Sequence, residues 1–277
     1  MYRIFKLMAV CFCVTLAACS GGSPGKNAPQ DSAKRSPRGE PLPSWTDGPA
    51  KSAITGFVAK VTDAGSPQFI PGEDRIAVFD NDGTLWSEQP LYFQFYFALD
   101  QVKRLAAENP SWSKEEPFAS VLRNDIAGAL KSGEKGIAQI VLRTHTGMTT
   151  TEFEQQVRTW IDTAKHPLKQ RRFRSMTYQP MTELIRYLQD AGFKTYIVSG
   201  GGVEFMRPWT AAAYGIPPEQ VVGSTAKLQF ELKNDTPYIR KMPGIGFIDD
   251  GPGKPVGIEL AIGKRPVAAF GNSDGDL

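Results

Sequence analysis

Cysteine is missing from nearly the whole chain. Of 277 residues only Cys11, Cys13 and Cys19 carry a thiol, all in the first nineteen positions, so everything after them folds without a disulfide and is held by packing. Histidine is as scarce. His145 and His166 are the only two, too few ligands for zinc in a body without cysteine. Neither sign of charge is in excess: the formal net charge is +3, and it falls to +1 when Arg3 and Lys6 are set aside with the first segment. So balanced a body offers no footprint for nucleic acid. The apolar stretch Leu7 to Ala18, preceded by Arg3 and Lys6, is too short to span a bilayer but has the length of a secretory signal's hydrophobic core. No internal repeat is present.

Leu16-Ala17-Ala18-Cys19 closes that stretch and resembles the lipobox of bacterial lipoproteins. The resemblance implies cleavage before Cys19 and lipidation of its thiol and new amino end, so that residues 1–19 are a signal peptide. Several acyl chains anchor a protein stably where one does not. The alternative is an ordinary secretory signal cut at Ala18. Ser20 favours, on the sorting rule of enteric bacteria, an outer membrane destination facing the periplasm. Residues 20–50 are rich in Gly, Ser, Pro, Asn and Lys with almost no large apolar side chains, which reads as a flexible tether. Residues 51–277 are long enough for one core domain carrying an inserted smaller one.

The string Phe79 to Trp86, FDNDGTLW, follows the apolar run Ile76-Ala77-Val78 and places Asp80 and Asp82 just past an expected strand end. In extended backbone residues i and i+2 share a face, so both carboxylates point into one pocket, and Gly83 lets the chain turn. Two like charges that close must share a cation or a proton. The bland reading is a surface turn. Three more polar clusters follow expected strands: Ser199-Gly200-Gly201-Gly202 after Lys194 to Val198, Lys254 in the run Gly251 to Gly263, and Gly271 to Asp276 after Val267 to Phe270. In this order they resemble the four motifs of the haloacid dehalogenase superfamily of Asp-dependent phosphohydrolases: D-x-D-G-T/V, a strand-end Ser or Thr, a Lys, and an acidic metal loop.

The expected fold is α/β. Met181, Leu184, Ile185 and Leu188 have helical spacing stopped at Gly192. Val203 to Tyr214 reads as a second helix, Val221-Val222 as a short strand, and Gly253 to Gly263 as a third helix. Short apolar strands alternating with helices imply a doubly wound, Rossmann-like parallel sheet, with each polar cluster at a strand's carboxyl end where such sheets bind ligands. Leu228, Phe230 and Leu232, with a turn at Asn234-Asp235, predict a small hairpin beside it. Residues 89–174 look helical throughout, with stripes at Phe95, Ala98, Leu99 and Val102, at Phe118, Leu122 and Ile126, and at Phe153, Val157, Trp160, Ile161 and Ala164, the last entered through a capping box at Thr151 and Glu154. A helical insertion here resembles the cap of the phosphoserine-phosphatase-like branch.

The resemblance implies an Mg²⁺-dependent phosphomonoester hydrolase acting on a small phosphorylated metabolite. Asp80 is then the nucleophile that forms an aspartyl-phosphate, and Asp82 the acid and base. Ser199 and the amide of Gly200 hold phosphate oxygens, Lys254 neutralises charge, and Asp80, Asp82, Asn272 and Asp276 gather about the metal. Asn272 stands where the family's usual metal-binding Asp falls, and Asp274 or Asp276 is the alternative contact. Nine positions after the nucleophile, where the phosphoserine branch has an acidic substrate contact, stands Gln89, with Glu88 one residue early. Phosphoserine is therefore not carried over. Leu277 follows the metal loop directly, whereas the family continues with a helix and usually another strand, so the C-terminal part of the fold reads as missing. Two other functions stay open: a non-catalytic or weakly active surface lipoprotein, and a haloacid dehalogenase, which Asp82 argues against. His145 is a candidate substrate contact, Glu88, Trp86 and Arg143 are weaker ones, and the basic run Lys165 to Arg174 reads as a solvated linker or a rim that steers anions.

Overall fold

A computed structural model describes residues 41–276; the expected signal peptide, Cys19 and most of the expected tether lie outside the described residues. Along the chain run α1 (Pro49–Thr62), β1 (Ile76–Phe79), α2 (Phe93–Leu105), α3 (Phe118–Leu122), α4 (Ile126–Leu130), α5 (Gly133–His145), α6 (Thr150–Thr163) and α7 (Gln179–Asp190). They are followed by β2 (Lys194–Gly202), α8 (Val203–Tyr214), β3 (Val221–Lys233), β4 (Thr236–Phe247), α9 (Gly253–Ala261) and β5 (Ala268–Phe270). The strands form one sheet in the order β4-β3-β2-β1-β5, parallel except between β3 and β4.

β1 is buried along its whole length, as a parallel strand covered on both faces must be. Ile76 and Val78 turn to a small cluster with Val198 and Val222, roofed by Ile258 of α9. Ala77 and Phe79 face the main core with Leu184 and Leu188 of α7 and Phe205 of α8. Phe79 also stacks on Phe270 of β5, ring centroids 4.8 Å apart. α7 stops as the pattern predicts, with Gly192 at φ 82°, a conformation that side chains disfavour.

β3 differs from expectation. Val221-Val222 is the start of one long strand whose first residues pair with β2 and whose remainder, from Thr225, pairs with β4. The predicted hairpin is the outer end of this ribbon, closed by Asn234 and Asp235 at φ 50° and 58°, the geometry of a two-residue primed turn. Between β2 and β3 the register shifts at Ser199/Gly202. A bulge of this kind re-aims the backbone at a strand's end.

The stretch between β1 and β2 is built of α2 to α6. The stripe Phe118, Leu122, Ile126 is not one helix: Asn124, at φ 60°, separates α3 from α4. The capping box lies at Thr149 and Glu152 rather than Thr151 and Glu154, Thr149 accepting from the Glu152 amide and the Glu152 carboxylate accepting from the Thr149 amide. Aromatic side chains join this helical stretch to α8. Trp86 stacks on Trp209 at 4.3 Å and meets Phe93 edge-on at 4.6 Å, and Trp160 stacks on Phe173 at 4.5 Å, pairs that each contribute about 0.5–1.5 kcal/mol beyond burial. The end of the expected tether is docked. Leu42 is buried, the Ser44 amide and hydroxyl donate to the Glu183 carboxylate, and Trp45 Nε1 donates to the Pro180 carbonyl. Among the described residues no helix is long and apolar enough to cross a membrane.

Candidate active site

The turn after β1 is tied on every side. The Asp80 amide donates to the Phe270 carbonyl at 2.9 Å, the Asn81 carbonyl accepts from the amides of Thr84, Leu85 and Trp86, and the Gly83 amide donates back to the Trp86 carbonyl. Gly83 has φ 79°, and a Cβ there would stand 2.3 Å from Asn272 Nδ2 and 2.7 Å from a Glu88 oxygen. Only glycine lets these side chains come so close. Trp86 Nε1 donates to Asp82 Oδ1 at 2.7 Å. Trp86, the weaker candidate in the sequence, is thus the residue that orients Asp82.

Lys254, at the start of α9, spends its donors on three oxygens: Asp80 Oδ1 at 2.8 Å, the Val198 carbonyl at 3.1 Å and Asp276 Oδ1 at 2.5 Å. It clamps the ends of β1 and β2 and the last loop together. Burial pushes the Asp80 carboxyl up, and the Lys254 bond opposes the rise. Burial pushes Asp82 much further, to about 7, against the Trp86 bond and with the charges of Asp80 and Glu88 adding to the rise. Burial works against the charge of Lys254, but the carboxylates of Asp276 and Asp80 hold its pKa above the ordinary value.

Asp276, expected beside the cation, uses both oxygens elsewhere. Oδ1 takes Lys254, and Oδ2 accepts from the amides of Asn272 and Ser273 and from the Ser273 hydroxyl. Its geometry organises the loop. Asn272 Oδ1 accepts from the Thr84 hydroxyl at 2.8 Å, and its Nδ2 faces Glu88 Oε1 at 3.4 Å. Among the described residues no group of three or more His, Cys, Asp or Glu side chains is placed to hold a metal. A cation at this turn would draw on Asp80, the Asp82 carbonyl, the second lone pair of Asn272 and the Glu88 carboxylate. That oxygen set suits a hard ion that keeps water and takes substrate phosphate as further ligands.

Ser199 is buried at the end of β2 and accepts from the Gly201 amide at 3.2 Å. The next amide, of Gly202, donates to Gln94 Oε1 at 2.8 Å, which ties the glycine run to α2. Gln94 had no sequence signal. Asp249 was also missed, although an acid pair precedes Lys254 in FIDDGPGK. It is fully buried, and burial raises it to about 7 against the Lys254 charge and the Ser199 amide. Arg143 lies over the Trp112 ring. His166 Nδ1 accepts from the amides of Leu168 and Lys169, so it braces the start of the basic run.

Asp80, Asp82, Ser199, Gly200, Lys254, Asn272 and Asp276 open onto one cavity of about 780 Å³ that is lined as well by α5 and by Phe153, Phe205 and Phe247. The arrangement puts two unlike carboxylates, an ammonium and a strand-end hydroxyl around one point, as transfer of an anionic group requires.

No curated protein matches the chain. Among solved structures it is similar to a protein of unknown function from Bordetella pertussis Tohama I, at 17% identity over 71% of this chain and 80% of that one, TM-score 0.45. It is similar as well to a functionally unknown protein from Anaerococcus prevotii DSM 20548, at 16% identity over 82% and 81%, TM-score 0.46. A phosphoserine phosphohydrolase-like protein from Francisella tularensis subsp. tularensis SCHU S4 shares 18% identity over 73% and 80%, TM-score 0.36. The family description of the haloacid dehalogenase-like hydrolases matches residues 77–277, which take in the site from Asp80 to Asp276, and the chain belongs to that family of hydrolases.

Proposed function

We propose that the protein is an Mg²⁺-dependent phosphomonoester hydrolase that works through an aspartyl-phosphate on a small phosphorylated metabolite. The observation that carries this reading is the unequal carboxylate pair: Asp80 is held by Lys254, whereas Asp82 is held by Trp86 and shifted to about 7. A pair whose pKa values are driven apart divides into nucleophile and proton carrier.

The free Asp80 oxygen attacks phosphorus, the ester P–O bond breaks, and the Asp82 proton passes to the leaving oxygen. Asp82 then takes a proton from the water that attacks the aspartyl-phosphate, releasing inorganic phosphate and restoring Asp80. Ser199 and the Gly200 amide hold phosphate oxygens beside the N-terminus of α8. Lys254 offsets the charge on the transferred group. Bound Mg²⁺ supplies the positive charge that screens Asp80 from an incoming phosphate. Asp80, the Asp82 carbonyl, Asn272 and Glu88 hold it in this reading, and Asp276 aligns Lys254 instead.

Residues 89–174 act as a cap that closes over the substrate and excludes water; the α5 side chains in the cavity wall support this. In the same reading the enzyme works in the bacterial cell envelope, tethered through lipid at Cys19 on the periplasmic side of the outer membrane, with no nucleic-acid partner. A screen for phosphate release from small phosphoesters, with Mg²⁺ and with a chelator, tests the reading. Release that is absent throughout, or unchanged by chelation, refutes it.

A further inference from the structure

None of the three glycines that end β2 takes the positive φ that favours glycine. Each instead keeps the place of a side chain clear. A Cβ on Gly202 would stand 2.7 Å from Gln94 Nε2, closer than such atoms approach, and one on Gly200 would lie 3.3 Å from Asp250 Cγ. At Gly201 the same point lies 3.4 Å from Asp82 Oδ2, 3.5 Å from Ser199 Oγ and 3.7 Å from Gln94 Oε1. One spot therefore touches the carboxyl of Asp82, the Ser199 hydroxyl and the first turn of α2. Gln94 is fixed there. Its Oε1 accepts from the Gly202 amide at 2.8 Å, and since an N–H meets only an acceptor, the side-chain amide cannot be flipped and Nε2 keeps two N–H donors. Asp82 is fixed likewise, its Oδ1 taken by Trp86. Neither Gln94 Nε2 nor Asp82 Oδ2 has a partner among the described residues, and neither is sealed from solvent. Both residues line the cavity.

We infer that Gln94 is a substrate-recognition residue whose Nε2 donates to an uncharged oxygen acceptor, an ether, carbonyl or hydroxyl oxygen, carried by the leaving alcohol a few atoms from the ester oxygen. This rests on the phosphomonoesterase reading, in which Asp82 passes its proton to the leaving oxygen. With Oδ1 held by Trp86, that oxygen lies against Oδ2, and the carbons attached to it occupy the space that Gly201 leaves open, beside Gln94. A wholly alkyl leaving group takes the two N–H donors out of water and gives them nothing, a cost that an oxygen at the right position removes. A carboxylate at that position meets the charges of Asp250, beside Gly200, and of Glu88, which lines the cavity too, and is disfavoured. An ammonium has no lone pair to offer.

The test compares isosteric esters: 2-methoxyethyl phosphate with butyl phosphate, 3-methoxypropyl phosphate with pentyl phosphate, and the matching carboxylate-ended esters. At one spacing the ether should exceed its alkyl isostere in kcat/KM by about twofold to tenfold, the factor that one hydrogen bond contributes, and the carboxylate-ended ester should be the poorest. Gln94→Glu keeps the acceptor for the Gly202 amide and, ionised, has no donor, so it should bring the ratio of ether to alkyl ester to about one or below. Gln94→Met should bring it to about one. Were Gln94 only a tie between α2 and the glycine run, both variants would slow ether and alkyl ester alike and leave the ratio where it is in the wild type. That result overturns the proposal, and so does the lack of an ether preference at either spacing or a preference for the carboxylate. An equal loss for every ester, with weaker inhibition by inorganic phosphate, would assign Nε2 to the phosphate and overturns it as well. If no ester is hydrolysed at all, the phosphatase reading is what fails. Calorimetric binding of the same esters to the Asp80→Asn protein then decides the acceptor question by the same ratio, and absence of binding there overturns both.

Discussion

Asp80 and Asp82 are near neighbours in sequence, yet their surroundings give them different work. Asp80→Asn removes the attacking oxygen, so turnover should fall by at least about a thousandfold, with no hydroxylamine-sensitive phosphoenzyme. Asp82→Asn keeps the Trp86 bond but carries no transferable proton, and should slow esters of poor leaving groups by about a hundredfold or more while sparing activated aryl esters. Turnover that persists in the Asp80 variant would show that another residue is the nucleophile. At Asn272 a neutral amide stands between the Thr84 hydroxyl and Glu88. Asn272→Asp should tighten Mg²⁺ binding, because hard cations gain more from carboxylate than from amide oxygen, and Glu88→Gln should weaken it. Calorimetric titration reads both, and an unchanged midpoint in each would place the cation elsewhere. The D-x-D spacing, the strand-end Ser199 and the Lys254 run made these residues legible in the sequence. What stayed hidden was which of two near carboxylates Trp86 would hold, and that Asp276 would turn to Lys254, 22 positions away: side-chain choices of this kind leave no trace in local spacing.

At the scale of elements, the sequence revealed α7, α8 and α9 almost to the residue, α7 because it buries one apolar stripe of Leu184, Ile185 and Leu188 and α9 because Pro255 and Gly263 mark its start and stop. It failed where tertiary pairing decides. β3 is long because β4 continues its ladder, and nothing in Val221-Val222 foretells that. α3 and α4 share an apolar stripe but are parted by the backbone of Asn124. α5 ends on His145, which burial, with the charge of Lys241 adding, pushes down to about 3, against about 6.5 in an unfolded chain. Between those values the unfolded chain takes up a proton that the folded chain refuses. This contribution to stability is full above about pH 6.5 and is lost as the pH falls toward 3, at up to about 1.4 kcal/mol per unit. His145→Leu should flatten that slope. Urea denaturation at about pH 7.5 and about pH 5 measures it, and equal slopes in the two proteins would mean that His145 is protonated in the fold.

On the scale of the whole molecule, the absence of cysteine from residues 20–277 leaves non-covalent contacts as the fastening, and the aromatic contacts among Trp86, Phe93, Trp160, Phe173 and Trp209 supply part of it between the helical stretch and α8. Cys19→Ser should abolish incorporation of labelled fatty acid and move the protein from the membrane to the soluble fraction or leave an uncleaved precursor; label that still enters the variant rules out Cys19 as the acceptor. A different consequence follows from the bond between the Asp80 amide and the Phe270 carbonyl. Among the described residues β5 is three residues long, lies last in the strand order and pairs with β1, so the nucleophile's own backbone rivets the margin of the described sheet. Short margins open before cores do. When this one opens, Asp80, Asn272 and Asp276 lose their alignment together while the tryptophan cluster stays packed. On slow heating the enzyme should therefore fall silent several degrees before its tryptophan fluorescence changes, an early and reversible inactivation seated in a single hydrogen bond.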